Sequence, residues 1–410
     1  MAKKPIKGSN LDLSSPEFVK NPYPAYEQLQ QKHPVYWCEE KQFYYISHYA
    51  HVQALFRHKG ASSNRVKPMV DKLPAPVQKA VEPLVNSLSK WLLFQDPPSH
   101  TPLRKVINQS LATRVISDMA PEIQRIVDEL INDFIDKEQC ELIKDFAYPL
   151  PAMIISQLLG VPEEDRDKIK QWSDDIAEFL GDKTSLELVA KTQQSIVAMG
   201  DYFTFILQKH RQNPKQNLMS KLLDLQAEQA EFTDEHLVAN CSALIFAGHE
   251  TTTNLIANSW LALTNHPSQL KHLQDNLQDT EKALEECMRF ESPVQRMGRF
   301  IQEPIEIEGH ILQPGKRALL MIGAANRDPI LTEHPNVFNI HRTPTRHLAF
   351  GYGIHLCSGA MLGRLESTVA IKTLAKRLNT PCLSNKFPEW QYNLGLRAMK
   401  KLPLTFSASH

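Results

Sequence analysis

The stretch of sequence that decides the fold is Phe350-Gly351-Tyr352-Gly353-Ile354-His355-Leu356-Cys357-Ser358-Gly359, and a helical pattern follows it. This order places Cys357 at the start of a helix, where the helix dipole and unsatisfied backbone N–H groups stabilise a thiolate. Gly351, Gly353 and Gly359 permit turns and let another group approach the backbone closely. The stretch therefore predicts a thiolate on a glycine-rich loop, against which a flat macrocycle could lie.

Two simpler interpretations account for this loop less well. A lone cysteine beside glycines is usually a small buried hydrophobe, but that explains only part of the string. A dinucleotide site would need a third glycine three residues after Gly353, and Leu356 stands there. The pattern favours a thiolate site over both.

The string F-G-x-G-x-H-x-C-x-G closely resembles the haem-binding signature of the cytochrome P450 superfamily. The resemblance implies that Cys357 is the metal ligand of haem b (iron protoporphyrin IX), with Phe350, Gly351 and Gly359 around the cofactor. Ser358 departs from the pattern, because an aliphatic residue commonly follows the cysteine. A serine here could tune hydrogen bonding to the sulfur.

Residues 234–265 predict one long helix that carries Ala247-Gly248-His249-Glu250-Thr251-Thr252-Thr253. Glycine and three threonines suit a helix interior poorly, and such a conflict suggests function. We expect Gly248 to let a ligand approach and a widened helix to hold dioxygen and water. A zinc-protease motif is excluded by Thr253, which replaces the second histidine. The segment resembles the family's oxygen-binding helix, which implies that Glu250 and Thr251 relay protons and that Ala247 lies beside the cofactor.

Glu286 and Arg289 lie one helical turn apart and, taken alone, suggest an ordinary surface ion pair. Their order before the cysteine loop resembles the family's E-x-x-R helix. The resemblance implies a buried structural pair joined by a second arginine, for which Arg342 is the candidate.

The segment Asp96-Pro97-Pro98-Ser99-His100-Thr101-Pro102-Leu103-Arg104 sets His100 and Arg104 on one helical face. Two donors there could grip carboxylates, although a solvated face is the ordinary reading of that spacing. The family has a matching segment that contacts the haem propionates. The resemblance therefore assigns His100 and Arg104 to the cofactor, together with Arg299 and His355 at matching positions.

The remaining pattern predicts a mainly α protein with small β-sheets, in a single domain over residues 1–410. The resemblance adds a cytochrome P450 fold, with haem between the long central helix and the cysteine-loop helix. Helices are expected after Pro121 and around 163–180, 186–210, 280–290 and 358–378. Strands are expected at Phe43–Ser47, Ile305–Ile307, Arg317–Ile322 and Leu402–Phe406. Six prolines between residues 60 and 98 predict a long irregular connection.

The composition is that of an ordinary globular protein. Forty-six basic residues balance forty-six acidic ones, so no overall field favours nucleic acid or an anionic membrane. No secretory signal or membrane anchor is expected, and the cytoplasm fits cysteines that are scattered without C-x-x-C pairs. The five cysteines other than Cys357 are expected to be small buried hydrophobic residues: Cys38, Cys140, Cys241, Cys287 and Cys382.

The family's reaction inserts one oxygen atom of O2 into an organic substrate. No flavin or iron–sulfur motif is found in the sequence, so we expect electrons from an external ferredoxin and its reductase. The expected docking face near Cys357 would carry a basic patch or merely a solvated scatter of charge, made of Arg104, Lys105, Arg114, Arg346 and Arg364.

The expected substrate is a hydrophobic small molecule. Mostly apolar candidates for its pocket are residues 60–95, Phe179, Leu180, Ala243, Phe246, Ala247, 294–297 and Leu396. The A-G-H-E-T-T and E-S-P-V-Q segments are similar to those of bacterial biosynthetic members, which suggests a polyketide or macrolide-like natural product. Fatty acids and terpenoids stay open.

Three rival functions also stay open. A peroxide-driven enzyme would ordinarily replace the pair Glu250 and Thr251, and an electron-free isomerase or dehydratase would need no proton relay. A non-catalytic haem sensor would bind haem through Cys357 without substrate or electrons. Ligand titration and turnover with a surrogate ferredoxin system distinguish them.

Overall fold

The protein is mainly helical, with three small sheets among the residues described. The computed structural model describes residues 11–180, 185–215, 217–228, 232–384 and 388–408. The charged first ten residues, where no secretory signal is expected, lie outside this part of the chain. No helix in these ranges combines the length and the apolar character that a bilayer span requires.

The helices are α1 (Pro16–Lys20), α2 (Tyr23–Lys32), α3 (Tyr49–Arg57), α4 (Lys67–Val70), α5 (Ala75–Ala80), α6 (Glu82–Ser89), α7 (His100–Ser110), α8 (Thr113–Ser117), α9 (Ala120–Ile135), α10 (Pro149–Leu159), α11 (Arg166–Leu180), α12 (Leu186–Gln212), α13 (Leu218–Ala227), α14 (Asp234–Thr264), α15 (Pro267–Asp275), α16 (Thr280–Phe290), α17 (Ile322–Ala325) and α18 (Ala360–Arg377). The strands are β1 (Val35–Cys38), β2 (Phe43–Ile46), β3 (Ala61–Ser62), β4 (Gln139–Glu141), β5 (Met297–Ile301), β6 (Ile305–Ile307), β7 (His310–Leu312), β8 (Arg317–Leu320), β9 (Leu378–Leu383) and β10 (Pro403–Ala408).

Backbone contacts divide the described residues into two compact units. The first unit holds residues 11–61, 120–150 and 251–408, and the second holds residues 62–119 and 151–250. The boundary falls inside α14, between Glu250 and Thr251. The expectation of a single domain over residues 1–410 stays a prediction.

The largest sheet has the strand order β1-β2-β8-β5-β3. All four residues of β2 are buried, which matches its apolar and aromatic sequence. Strand β8 pairs in parallel with β2 and antiparallel with β5, so that Arg299 lies opposite Ala318. The sheet thereby fixes one of the predicted cofactor residues on a rigid element.

Helix α9 confirms the amphipathic pattern that follows Pro121. Ile123, Ile126, Val127 and Phe134 recur on one face and are at most 2% exposed. Each such side chain stabilises the fold by about 1.5–3 kcal/mol relative to an exposed one. The helix packs against α18, the helix that follows the cysteine loop.

Two local predictions were wrong. Residues 60–98 are not an irregular connection, because α4, α5 and α6 lie within them, each with proline in its first turn. Proline has no backbone N–H, but the N–H groups in the first turn of a helix have no partner within the helix. Proline is therefore well tolerated in a first turn, although it interrupts a helix at an interior position. The strand expected through Ile322 ends at Leu320, and Ile322 begins α17.

Candidate functional site

The cysteine loop is a tight structure held by its own backbone. The backbone N–H of Cys357 donates to the Phe350 carbonyl at 2.9 Å, and a short 3-10 turn spans Gly353–His355. Gly351 and Gly353 both have φ of +72°, a conformation that glycine adopts without strain. Helix α18 begins at Ala360, so Cys357 stands just before a helix start, as predicted. The loop leaves this side chain exposed.

Gly353 is also required for close packing. A Cβ atom at this position would lie 2.9 Å from the backbone carbonyl oxygen of Phe56, on α3. A backbone atom cannot rotate away as a side chain can, so any larger residue would displace the loop. Phe56 thus sets the position of the turn that precedes Cys357.

The other cysteines differ from Cys357 in their surroundings. Burial raises the pKa of Cys140 and of Cys287 to about 12, and it also raises the pKa of Cys241. These three therefore remain thiols and behave as the small hydrophobes that we expected. Cys38 is half-buried and Cys382 is exposed, so the expectation of burial is wrong for Cys382, which lies on β9.

Arg299 lies in the same unit as Cys357. Its side chain is 2% exposed, and its guanidinium carbon lies 5.0 Å from the centre of the Phe56 ring. Phe56 therefore contacts both Arg299, which is predicted to bind a haem propionate, and the cysteine loop. His355 is half-buried in the 3-10 turn, two residues before Cys357. No sequence motif includes Phe56, because its role depends on contacts between distant segments.

The second unit holds the other two predicted propionate ligands. His100 and Arg104 lie one turn apart at the start of α7, as predicted. His100 is 2% exposed, and burial, followed by the charge of Arg104, lowers its pKa. Asp96 anchors this helix start, because its carboxylate accepts hydrogen bonds from the Ser62 hydroxyl and the Ser63 N–H, and its carbonyl accepts from the His100 N–H at 3.1 Å.

The buried brace predicted around Glu286 is present. Arg289 donates to both Glu286 carboxylate oxygens, at 2.7 and 2.8 Å, and the two side chains are 1% and 3% exposed. Arg342 donates to the same carboxylate at 3.3 Å, which is the partnership expected for it. The surface-pair interpretation is therefore wrong.

Asn326 links this brace to the segment before the cysteine loop, a role that the sequence analysis missed. Its side-chain oxygen accepts from the Leu348 N–H at 2.6 Å, and its amide donates to the Ser292 hydroxyl at 2.7 Å. Its carbonyl accepts from Arg289 at 3.1 Å. Since Asn326 is fully buried, these bonds hold the residues before the loop to the rest of the unit.

Glu250 and Thr251 are consecutive residues of α14. Thr251 is half-buried, whereas Thr252 and Thr253 are 6% and 4% exposed. Ala247 is exposed and lies four residues before Thr251, one helical turn away. Among the three threonines, Thr251 is therefore the most accessible.

The roles expected for Gly248 are not those that the structure gives it. A Cβ atom at Gly248 would lie 3.0 Å from Ile155 Cγ1 on α10, so this glycine permits close helix packing. Helix α14 also remains α-helical through Gly248–Thr253, without the widening that we expected. A glycine that admits a neighbouring helix has the same sequence signature as one that admits a ligand.

His249 and Asp174 lie close to Glu250 in the second unit. The Nε2 atom of His249 lies 3.7 Å from a carboxylate oxygen of Glu250. One side-chain nitrogen or oxygen from each of Asp174, His249 and Glu250 lies within 4.8 Å of the others. Asp174 pairs with Lys170 at 2.8 Å and is 39% exposed, so the cluster leads from the surface to Glu250.

The buried His249 predicts a specific acid sensitivity. Burial lowers its pKa to about 4, below the value of about 6.5 in an unfolded chain. The unfolded state thus binds the proton first, and stability that is complete above about pH 6.5 falls by about 3 kcal/mol as the pH approaches 4. We expect His249→Gln to lose this part of the pH dependence. Urea unfolding near pH 7 and near pH 4.5 measures it, and an unchanged difference between the two would contradict the assignment.

The residues present fit the haem that the resemblance implies. The first unit offers one exposed thiol before a helix, on a turn that a Cβ atom at Gly353 would disrupt. Arg299 and His355 in the same unit supply donors suited to carboxylates. This donor set matches a thiolate-ligated macrocycle with acidic side groups.

Arg364, one of the five residues considered for a basic docking face, is paired with an acidic side chain. Within the first unit, Arg364 donates to Glu285 at 2.6 Å and its guanidinium lies 4.4 Å from the centre of the Phe350 ring. Burial by itself raises the pKa of Glu285, but hydrogen bonds from His347 and Arg364 outweigh it and lower the pKa to about 2. Much of the charge on Arg364 is therefore already compensated.

Three comparisons with known proteins agree. A family model for cytochrome P450 matches residues 2–400. The biotin biosynthesis cytochrome P450 of Bacillus subtilis (strain 168) is 36% identical over 397 residues, which cover 96% of this chain and 98% of that protein. The polyketide biosynthesis cytochrome P450 PksS of the same organism is 30% identical, covering 95% and 97%. The crystal structure of P450BioI in complex with hexadec-9Z-enoic acid ligated acyl carrier protein matches with a TM-score of 0.90 and 34% identity, covering 95% of this chain and 99% of that one.

The fold and the cofactor class predicted from the sequence are thus confirmed. The family model covers nearly the whole chain, and the two curated relatives are 30% and 36% identical to it. The chain belongs to the cytochrome P450 family, whose members are monooxygenases that hold haem b through a cysteine thiolate.

Proposed function

We propose that this monooxygenase holds haem through Cys357 and moves protons through Glu250 and Thr251 while it oxidises a hydrophobic natural product. The haem, when bound, activates O2 so that one oxygen atom enters the substrate and the other leaves as water. Arg299, His355, His100 and Arg104 would neutralise the carboxylates of the cofactor.

The observation that carries the proton assignment is the pairing of a partly accessible acid with a partly accessible alcohol on α14. The Glu250 carboxyl is 13% exposed and lies beside His249, which leads towards Asp174 and the surface. A carboxyl group that exchanges protons with groups nearer the surface can be protonated again after each proton transfer. The adjacent Thr251 hydroxyl can donate and accept, so it can pass a proton inward.

Thr251→Ala should separate electron consumption from product formation. The variant keeps the haem, since Thr251 is not assigned to hold it, but it loses the hydroxyl that passes protons. We expect product formed per electron pair to fall at least about tenfold, with hydrogen peroxide in its place. The matched control is Thr253→Ala, whose side chain is buried and should leave coupling unchanged. Unchanged coupling in Thr251→Ala would refute the relay.

The proposed substrate is a polyketide or macrolide-like molecule. Support comes from the 30% identity to PksS, which is described as a polyketide biosynthesis enzyme. The candidate pocket residues are mostly apolar, and each unit contributes some of them. In the second unit the rings of Trp91 and Phe246 lie 5.8 Å apart, and in the first unit Val294 pairs with Leu396 through an isolated bridge. Such surfaces suit a ligand with few polar groups.

A long fatty acyl chain is the second candidate. The observation that favours it is the P450BioI structure, which contains a hexadecenoic acid on its acyl carrier protein and is 34% identical to this chain. Both candidates are largely apolar molecules built from acyl units.

One set of measurements tests the proposal. Purified protein, reduced and exposed to carbon monoxide, should show the strongly red-shifted haem band of thiolate ligation. Binding of polyketide lactones and of long-chain fatty acids is then compared by spectral titration. Turnover should require O2, a surrogate ferredoxin and its reductase, and should place an atom of labelled O2 in the product. Turnover driven by peroxide alone, or haem without any substrate binding, would favour the rival functions.

A further inference from the structure

A cluster of potential metal ligands lies in the first unit, outside the residues assigned to haem. His48 directly precedes α3, His51 lies in the first turn of that helix, and Glu308 lies between β6 and β7. One ligand atom from each of the three lies within 4.8 Å of the others. The Nε2 atom of His51 is 3.7 Å from a carboxylate oxygen of Glu308.

The hairpin of β6 and β7 fixes the position of Glu308. Ile307 pairs with His310, which leaves a two-residue turn of Glu308 and Gly309. Both turn residues have positive φ, of +50° and +76°, as in the turn type that best matches the twist of a hairpin. The Glu308 side chain is 52% exposed, so its carboxylate can move the short distance towards the imidazoles that a shared ion requires.

A hydrogen bond to the backbone fixes the ring of His48. Its Nε2 atom lies 3.0 Å from the backbone carbonyl of Gln30. A carbonyl only accepts, so this nitrogen carries the proton and Nδ1 keeps its lone pair. Histidines that bind metals usually donate their second ring N–H to such a group, which fixes the ring and its tautomer.

His51 has an unusual environment for an ordinary surface histidine. Its Nδ1 atom is buried and has no hydrogen-bond partner among the described residues. The rings of His48 and His51 lie 5.2 Å apart, so the two imidazoles are close neighbours.

The cluster is open to solvent on the side of Glu308, whose side chain is 52% exposed. Two imidazoles and one carboxylate form a ligand set that Zn²⁺ accepts, with water in the fourth position. Ligand atoms around tetrahedral zinc lie roughly 3.3 Å apart, close to the 3.7 Å already present between His51 and Glu308.

We propose that His48, His51 and Glu308 form a binding site for a divalent transition-metal ion, with Zn²⁺ as the probe, separate from the haem. The ion would tie the start of α3 to the β6–β7 hairpin. Because the site uses no residue assigned to haem, its failure would leave the monooxygenase assignment intact.

The test is Zn²⁺ binding to chelator-treated holoenzyme, measured by calorimetry and by metal content after dialysis. We expect one Zn²⁺ per chain and a higher unfolding temperature, with an unchanged haem spectrum. Glu308→Gln should weaken binding about tenfold or more. The matched control Glu306→Gln alters an exposed carboxylate on the same hairpin and should bind normally. His51→Ala should remove the site.

Two rival locations are the cluster of Asp174, His249 and Glu250 and a second histidine pair. In that pair His272 lies 3.0 Å from Asp279, and its ring contacts His341. If His249→Gln or His272→Ala abolishes Zn²⁺ binding while Glu308→Gln and His51→Ala retain it, the ion binds at one of the rival locations and the proposal is overturned. Absence of Zn²⁺ binding by the unmodified holoenzyme overturns it as well. The haem spectrum of each variant reports whether it has folded.

Discussion

Cys357→Ser is expected to abolish the red-shifted haem band and essentially all monooxygenase turnover. Serine keeps the size and the hydrogen-bonding capacity of the side chain but removes the thiolate, which donates electron density to the iron and favours O–O cleavage. The loop geometry should survive, because it depends on the bond from the Cys357 N–H to the Phe350 carbonyl and on the positive φ of Gly351 and Gly353. The measurement is the difference spectrum of the reduced protein with carbon monoxide, paired with product formation.

The matched control for this substitution is Cys382→Ser. Cys382 is also exposed, but it lies on β9 rather than at a helix start. The control should retain the spectrum and the turnover. A red-shifted band in Cys357→Ser would mean that another cysteine supplies the sulfur, and its loss in Cys382→Ser would identify that cysteine.

The sequence predicted best where a role depends on spacing within one element. His100 and Arg104 share one face of α7 because four residues make about one turn, and Glu286 and Arg289 meet for the same reason. The helical periods of α9 and α14 are equally local. Such features depend only on neighbouring residues, so they can be predicted without knowing how the rest of the chain folds.

The sequence predicted least where a role depends on two distant segments. Phe56 contacts Arg299 and the turn at Gly353, and Asn326 joins Leu348 to Arg289, yet neither residue belongs to a motif. The resemblance supplied Arg342, which spacing alone would have left unassigned. Gly248 was misread because a single sequence does not show that Ile155 occupies the space beside it.

Arg289→Met should be among the most destabilising single changes in this protein. The substitution keeps much of the side-chain volume but removes the charge that pairs with Glu286, a carboxylate that is 3% exposed. It also removes the donors to the carbonyls of Asn326, Pro335 and Val337. Loss of one partner from a buried ion pair costs about 3–5 kcal/mol, because the other charge stays buried. Thermal unfolding of the holoenzyme measures the loss.

The exposed pair of Lys271 and Asp275 provides the control. These side chains lie 2.6 Å apart but are 69% and 55% exposed, so Lys271→Met should change stability by only about 0.5 kcal/mol. The loss of stability in Arg342→Met should lie between those of Arg289→Met and Lys271→Met, since Arg342 is 13% exposed and lies 3.3 Å from Glu286. If Arg289→Met were as mild as Lys271→Met, the brace would not stabilise the fold. A drop in unfolding temperature together with an unshifted haem band would show that the pair supports the fold without touching the chemistry of Cys357.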